Sequence, residues 1–428
     1  MIALSLTLLI GLMALTIPVV AVLGIIGLTL DQFYSYVPLV YGIGDVAWKA
    51  STDFILVAIP LYILLGQLLL RSGIAERMYV ALSQWFSWMP GGLMHSNIVS
   101  SAMFAAVSGS SAATAATIGT VAIEQIDRYK YNERLFLGSL ASGGTLGILI
   151  PPSINLIVFG VLTNTSIPKL YLAGILPGLL LTTTFVLIVV VICIARPSLG
   201  GNRVETDWRR RIGLLPDLLP PVVLFLLVIG SIYAGWATPT ESAALGVVAA
   251  MGLAAARKRL SIAMMVEAIE GTIQTTGMIM IIILAAYFLN YVFAFVGLTS
   301  HVNSVITSLD LSPYAILVVV IVFYLVLGMF METLSMMVAT VPIITPVIVA
   351  AGFDPVWFGI LMILLIETAL ITPPVGFNLF IIQGVRGRGQ VHDIMIGALP
   401  FVVALQIVIV LIVVFPQIPL WLPNTFWG

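Results

Sequence analysis

Hydrophobic residues recur along this chain in long runs rather than in the alternating or amphipathic patterns of a soluble domain. A run of about 20 apolar residues is long enough to cross a bilayer as a helix. On this criterion, spans are predicted at about 2–29, 53–70, 135–162, 169–195, 215–235, 238–256, 273–297, 357–385 and 394–416. The pattern therefore predicts an all-α polytopic membrane protein.

Two further stretches fit no simple span. Residues 91–122 carry Ser108-Gly109-Ser110-Ser111 near the middle, and residues 313–349 carry Glu332-Thr333. Each stretch begins and ends on one side of the membrane in the predicted order of spans, so each is predicted to be a re-entrant hairpin. Short interfacial segments are predicted before the two hairpins, at 74–88 and 299–309.

Two of the predicted spans contain a Pro-Pro pair. Pro151-Pro152 interrupts 135–162, and Pro373-Pro374 interrupts 357–385. Proline lacks the backbone N–H and clashes with the preceding turn, so each pair should break its helix. Broken backbone is tolerated within a bilayer only where it is buried in protein or lines a cavity. Paired interruptions of this kind indicate the binding site of a secondary transporter.

A glycine and a proline follow each Pro-Pro pair at nearly the same separation, which predicts two repeats. The alternative is chance recurrence in a chain with 23 prolines. The first repeat is predicted at 1–197, with its hairpin at about 91–122 and its broken helix at 135–162. The second is predicted at 213–428, with its hairpin at about 313–349 and its broken helix at 357–385. The loop 198–212 joins them.

Lys and Arg set the predicted orientation, because they accumulate in cytoplasmic loops. The arginine-rich loops 196–211 and 257–259 are predicted to be cytoplasmic, whereas 298–312 has no Lys or Arg and is predicted to face outward. The N-terminus is then cytoplasmic and the C-terminus is outside. The two repeats begin on opposite sides of the membrane, so they are predicted to be inverted.

Composition narrows the possible functions. The chain is 61% hydrophobic and 8% charged, with a net charge of -1, so nothing favours a nucleic-acid partner. Its single cysteine excludes a disulfide within the chain, and its three histidines have no metal-ligand spacing. It has no Gly-Lys-Ser or Gly-Lys-Thr nucleotide loop. We therefore expect that the chain is not an enzyme and that the energy for its function comes from an ion gradient or from a partner.

Candidate binding residues lie at the hairpin tips and the helix breaks, where hydroxyl groups and freed carbonyls can bind a cation or a carboxylate. They are Ser108, Gly109, Ser110, Ser111, Gly144, Thr145, Pro151, Pro152, Ser153, Asn155, Glu332, Thr333, Thr368, Thr372, Pro373, Pro374, Gly376 and Asn378. The alternatives are close helix packing by small residues and simple capping of the broken ends. Glu332 and Glu367 are also functional candidates, because intramembrane carboxyl groups are costly, or one of them is neutral or caps a helix.

Several segments in combination resemble the large membrane subunit of tripartite ATP-independent periplasmic (TRAP) transporters. They are 104–119, 144–153, 173–177, 341–346, 352–359, 367–376 and 415–423. The likeness covers essentially the whole chain.

This resemblance implies an elevator-type importer of an organic acid in the bacterial inner membrane, with a periplasmic C-terminus. A periplasmic substrate-binding protein would deliver the acid, a small membrane subunit would flank the chain within the lipid, and Na⁺ would be the coupling ion without another cofactor. The resemblance also implies Na⁺ sites between hairpin tips and helix breaks. The Na⁺ candidates are Ser110, Gly144, Thr145, Thr372 and Gly376.

Other functions stay open at this point. A stand-alone Na⁺-coupled dicarboxylate or citrate transporter, or an ion antiporter, would purify without the two partner proteins. An intramembrane enzyme would turn over substrate without a gradient, and a channel would conduct without cation coupling.

Overall fold

Helices make up the regular structure of the described residues, which are 1–202, 207–298, 301 and 312–427 of this computed structural model. The helices before the long connection are α1 (Ile2–Ala14), α2 (Val19–Tyr34), α3 (Ile43–Ser51), α4 (Ala58–Arg71), α5 (Ile74–Phe86), α6 (Leu93–Ser108), α7 (Ser111–Ala122), α8 (Glu124–Tyr129), α9 (Glu133–Thr145), α10 (Ile154–Thr163) and α11 (Ile167–Ala195). Those after it are α12 (Trp208–Gly213), α13 (Leu219–Tyr233), α14 (Pro239–Ala256), α15 (Ile262–Phe295), α16 (Pro313–Gly328), α17 (Thr333–Ala350), α18 (Pro355–Ile371), α19 (Phe377–Arg386), α20 (Val391–Val414) and α21 (Gln417–Trp427).

Seven helical segments within the described ranges are long and apolar enough to cross a membrane. They are Phe54–Arg71, Ile167–Ala195, Trp208–Tyr233, Pro239–Ala256, Ile262–Phe295, Thr333–Ala350 and Val391–Val414. All but Thr333–Ala350 coincide with predicted spans, and that segment falls in the predicted second hairpin. The predicted interfacial helix at 74–88 is α5, whereas 299–309 lies outside the described residues except for His301.

The predicted span at 2–29 is wrong, because α1 and α2 are separate helices that pack against each other. Thr16 adopts a left-handed backbone conformation, with a φ of 59°, and Pro18 precedes the first residue of α2. Since proline cannot donate the hydrogen bond that would continue α1, the chain turns here instead of crossing in one helix.

Both predicted helix breaks are present. The first broken helix consists of α9, a short 3₁₀ turn at Leu146–Ile148, and α10. The second consists of α18 and α19, separated by residues 372–376. In both breaks the Pro-Pro peptide bond is cis.

The two predicted hairpins are pairs of helices joined by short turns. Gly109 and Ser110 connect α6 to α7, and residues 329–332 connect α16 to α17. Each half-helix that follows a break packs on a hairpin arm from the other half of the chain: α19 packs on α7, and α10 packs on α17. The breaks and hairpins therefore form one interlocked core. A second group of helices, α2, α4, α14 and α15, packs together beside it.

An ion-pair cluster joins the halves at the predicted cytoplasmic ends of these helices. The Arg386 guanidinium, whose side chain is only 3% exposed, lies 2.9 Å from Glu133 and 3.7 Å from Asp393. Arg134 lies 2.9 Å from Asp393 as well. The cluster therefore connects the start of α9 with the end of α19 and the start of α20.

Replacing the buried arginine should cost far more stability than replacing its exposed neighbour. We expect Arg386→Ala to lower the free energy of unfolding by about 3 kcal/mol, which is the lower end of the range for a broken buried ion pair. The loss stays at this end because the carboxylate partners of Arg386 each keep a second arginine. Arg388→Ala removes a half-exposed arginine that lies 2.8 Å from Asp127 and should cost under about 1 kcal/mol. Melting temperatures of both variants in detergent compare them. Equal losses would contradict a special role for Arg386.

Candidate functional site

The first hairpin tip is shaped by glycine and hydroxyl groups. Gly109 ends α6 in a left-handed conformation with a φ of 63°, which glycine adopts without steric cost. Ser110 caps α7, since its hydroxyl accepts from the Ala113 N–H at 3.4 Å. The Ser108 and Thr114 hydroxyl oxygens lie 3.0 Å apart. The tip therefore holds several oxygen atoms in a short reversal of the chain.

This tip lies directly against the first helix break. A methyl group on Gly109 would lie 2.8 Å from the carbonyl oxygen of Pro152, and one on Gly147 would lie 2.5 Å from the carbonyl oxygen of Ser110. Both distances are too short for a side chain, so only glycine allows the two backbones to approach. The predicted grouping of Ser108–Ser111 with the break at 144–153 is thus present as a backbone contact.

Asn378 lies at the same junction, although it follows the second break in sequence. Its side-chain N–H donates to the Ala141 carbonyl at 3.2 Å, and its amide nitrogen lies next to Gly144. Gly144 also contacts Ala115 of the first hairpin. The Asn378 side-chain oxygen is buried and has no hydrogen-bond partner among the described residues. The hairpin, the first broken helix and the second broken helix therefore meet at Gly144.

The polar residues around the first break partly serve its own backbone. The Ser153 hydroxyl donates to the Ile148 carbonyl at 2.5 Å and caps α10, and the Thr145 hydroxyl donates to the Ser142 carbonyl at 2.8 Å. The capping alternative therefore describes these hydroxyls in this structure. Asn155 is buried, and its side-chain N–H₂ has no partner among the described residues.

Glu332 caps the second hairpin arm. Its carboxylate accepts from the Leu334 N–H at 3.1 Å, the Ser335 N–H at 3.0 Å and the Thr333 hydroxyl at 2.8 Å. These hydrogen bonds all lie within its own hairpin, as the capping alternative predicts. The hairpin approaches the second broken helix where Gly328 contacts Ala369 of α18.

The two breaks differ in how well they are covered. Pro151 and Pro152 are buried beneath the first hairpin, whereas Pro374 is exposed and Val375 is 41% exposed. Gly376 turns the chain with a φ of 51°. The second break is therefore the accessible one in this structure.

Hydroxyl groups line the helix that leads into this second break. The Thr372 hydroxyl donates to the Thr368 carbonyl at 2.6 Å. The Thr368 hydroxyl donates to the Leu364 carbonyl at 2.9 Å and accepts from the Gln406 amide at 3.4 Å. Both threonine hydroxyls thus donate their hydrogen bonds to backbone carbonyls of α18. Their oxygen lone pairs stay available to a cation.

Glu367 lies in the middle of the core. Its side chain is completely buried on α18, and neither carboxyl oxygen has a hydrogen-bond partner among the described residues. Burial of an unpartnered carboxyl group costs free energy, and a group kept at that cost is a candidate for function. A functional role for Glu367 stays a prediction.

One polar contact was missed from the sequence. Asn97 of α6 accepts from the Tyr79 hydroxyl at 2.8 Å and donates to the Ser139 hydroxyl at 2.9 Å, all within the buried core. This network joins the first hairpin to α5 and α9. Its signal in the sequence was the single side-chain amide of the first hairpin arm, which also contains one histidine and several serines.

The chemistry of the junction is that of neutral oxygen ligands. No group of three or more His, Cys, Asp or Glu side chains that could hold a metal ion occurs in the described part of the chain. Carbonyl and hydroxyl oxygens suit hard cations rather than transition metals. The arrangement could hold a hard cation through oxygen atoms.

Comparison with known proteins identifies the family. The family described as "Tripartite ATP-independent periplasmic transporter, DctM component" matches residues 6–418. The chain belongs to this family. It is therefore the large permease subunit of a TRAP transporter and an integral membrane protein, and the resemblance noted from the sequence is confirmed.

Relatives from several bacteria support this assignment. The chain is 35% identical to the C4-dicarboxylate TRAP transporter large permease protein DctM of Pseudomonas aeruginosa, over 88% of each chain. It is 32% identical to the sialic acid TRAP transporter large permease protein SiaM of Vibrio cholerae, again over 88% of each. These relatives are transporter subunits rather than enzymes, which confirms the prediction that this chain is not an enzyme.

Solved structures share the fold at low sequence identity. The Alcanivorax borkumensis YdaH transporter aligns over 89% of both chains with a TM-score of 0.62 and 13% identity. The Neisseria gonorrhoeae MtrF structure aligns over 91% of this chain and 85% of its own with a TM-score of 0.52 and 11% identity. At these identities the likeness concerns the fold alone.

The contact between the tip and the first break can be tested with a single methyl group. We expect Gly147→Ala to lower the melting temperature and to abolish uptake of the transported substrate, because the added methyl group would collide with the Ser110 carbonyl. Gly384→Ala is the matched control, since it also lies in a broken helix but has open space around it. Wild-type uptake by Gly147→Ala would contradict the importance of this contact.

Proposed function

We propose that this TRAP permease imports an organic acid in symport with Na⁺. Three relatives are named for C4-dicarboxylates, sialic acid and isethionate, each of which is an organic acid. The proposal rests on the stretch from Gly144 to Gly147, where the Ser110 carbonyl of the hairpin tip lies against Gly147 and the Asn378 side-chain amide lies against Gly144. The side-chain oxygen of Asn378 has no partner among the described residues. Neutral oxygens in a dry site suit Na⁺, and a substrate carboxylate can share the cation.

We assign the Na⁺ ligands to the two breaks. Around the first break, the candidates are Ser110 and Gly144, with Thr145 beside them. Around the second, they are Thr372 and Gly376. The unpartnered oxygen of Asn378 supports the first location, because a buried acceptor without a donor is suited to a cation. The other candidate residues predicted from the sequence would form the walls of the binding site.

We also propose that the two halves are inverted repeats, divided at 198–212, and that their hairpins and broken helices move together as an elevator. The reciprocal packing of α19 on α7 and of α10 on α17 supports one moving body. The Arg386 ion-pair cluster supports it as well, because it links the halves. The helices α2, α4, α14 and α15 would be the scaffold.

The family supports the remaining expectations. A small membrane subunit and a periplasmic substrate-binding protein would complete the transporter, which makes the stand-alone alternative unnecessary. The chain would lie in the bacterial inner membrane with a periplasmic C-terminus. Most lysines and arginines lie on one side of the predicted spans, which supports this orientation, and Lys49 and Lys169 lie on the other side. The expectation of a cytoplasmic N-terminus is not retained, because it required a single crossing at 2–29 and α1 and α2 are separate helices.

Orientation can be tested by labelling in a Cys193→Ser background, since Cys193 is the single native cysteine. A reagent that does not cross membranes should label Ala234→Cys from the periplasmic side of intact cells. It should label Asn202→Cys only after the membrane is opened. Both positions are exposed on the chain. The reverse pattern would overturn the orientation.

Coupling can be tested in proteoliposomes that contain this chain with its small subunit. Uptake of succinate or sialic acid, each with its binding protein, should require an inward Na⁺ gradient. It should vanish when K⁺ replaces Na⁺, because the larger ion does not fit the same ligands. Uptake at the full rate without Na⁺ would refute Na⁺ symport, and uptake without the binding protein would refute the tripartite mechanism.

A further inference from the structure

A cavity of about 550 Å³ lies far from the junction, between α5, the base of the first hairpin and the connection that holds α12. Its polar lining consists mainly of Tyr79, Ser83, Gln84, Gln125, Arg128 and Arg210. No acidic side chain lines it in the described part of the chain. The positive-inside rule puts this face in the cytoplasm.

Six arginines at the helix ends pair with a carboxylate, whereas those of this cavity, like Arg196, Arg209 and Arg259, form no ion pair in the described part of the chain. Arginines with a carboxylate partner are Arg71, Arg77, Arg134, Arg257, Arg386 and Arg388. Arg128 and Arg210 form no ion pair within the described ranges. Asp127, the acid next to Arg128, is engaged by Arg388 at 2.8 Å, and this contact lowers the pKa of Asp127. Two exposed arginines without an ion pair in the described part of the chain therefore line one cavity, and the guanidinium of Arg128 lies 5.5 Å from the ring centroid of Tyr129.

The cavity also offers neutral donors. The Gln125 amide forms no hydrogen bond in the described structure, so its N–H groups are available to a ligand. The arginines add charged donors, because guanidinium groups match phosphate and carboxylate oxygens in a two-point geometry. Trp85 and Trp208 pack edge to face beside the cavity, with ring centroids 6.2 Å apart. Because tryptophan favours the membrane–water interface, this pair indicates the depth of lipid headgroups.

We propose that this cavity is a cytoplasmic anion site. It binds a group that carries phosphate or carboxylate oxygens, supplied by an anionic lipid headgroup or by a soluble anion. The site is separate from the transport site, since α6, the hairpin arm between them, is 16 residues long and spans about 24 Å.

Occupancy of the site has a consequence that rests on the proposed elevator. Arg128 lies on α8, which follows the first hairpin directly, and Arg210 lies on α12 in the connection between the halves. An anion that bridges these two arginines would hold the hairpin at the connection. It would therefore slow the transport cycle, whereas binding itself needs no movement.

The test measures binding to the complete transporter, so it does not depend on transport. The probes are inorganic phosphate in detergent, and nanodiscs of phosphatidylcholine with or without phosphatidylglycerol. We expect at least one probe to raise the melting temperature of the wild type. In Arg128→Gln/Arg210→Gln the apparent affinity should fall about tenfold or more, because two charge-assisted contacts are lost. Arg209→Gln, the neighbour outside the cavity lining, should stay within about twofold.

The pattern of stabilisation identifies the source of the anion. A shift with phosphate supports a soluble anion, and a shift only with phosphatidylglycerol supports a headgroup. No shift with any probe overturns the proposal, and so does an equal shift in the double variant or an equal loss in Arg209→Gln. The single variants Arg128→Gln and Arg210→Gln replace the double variant if it does not fold.

Discussion

Backbone polar groups that leave a helix inside a bilayer must find partners within the protein, and this constraint organises the structure. The first break meets it by close backbone contact: the hairpin tip at Gly109 lies against Pro152, and Gly147 lies against Ser110. Such an approach is possible only because both positions lack a side chain. The hairpin therefore covers the break, and the break positions the hairpin.

The same contact sets the chemistry of the site. Once two irregular segments are pressed together, their carbonyl and hydroxyl oxygens converge, and Asn378 adds an amide from the other half of the chain. Much of this polarity is already consumed by capping, as Ser153 and Glu332 illustrate. The unpartnered side-chain oxygen of Asn378 is what remains, and it supports the proposed cation site.

The two helix breaks differ in exposure. The first break is buried, and the second is open at Pro374 and Val375. A transporter must expose its site to one side at a time, and the unequal cover of the two breaks is compatible with the alternation that we propose. Arg386 forms an ion pair with Glu133 of the other half, which supports the proposal that the two halves move together.

Local chemistry made the helix breaks predictable, because proline lacks an N–H wherever it occurs, and the tip at Gly109 was predictable because only glycine turns so tightly. Hydropathy also predicted most spans, but not the turn at Thr16, where two short helices replace one. Packing decided the rest. The partner of Asn378, the network around Asn97 and the pairing of α19 with α7 join segments distant in sequence, and no local propensity encodes such contacts. The sequence determined where the backbone breaks, and the tertiary structure decided what each break faces.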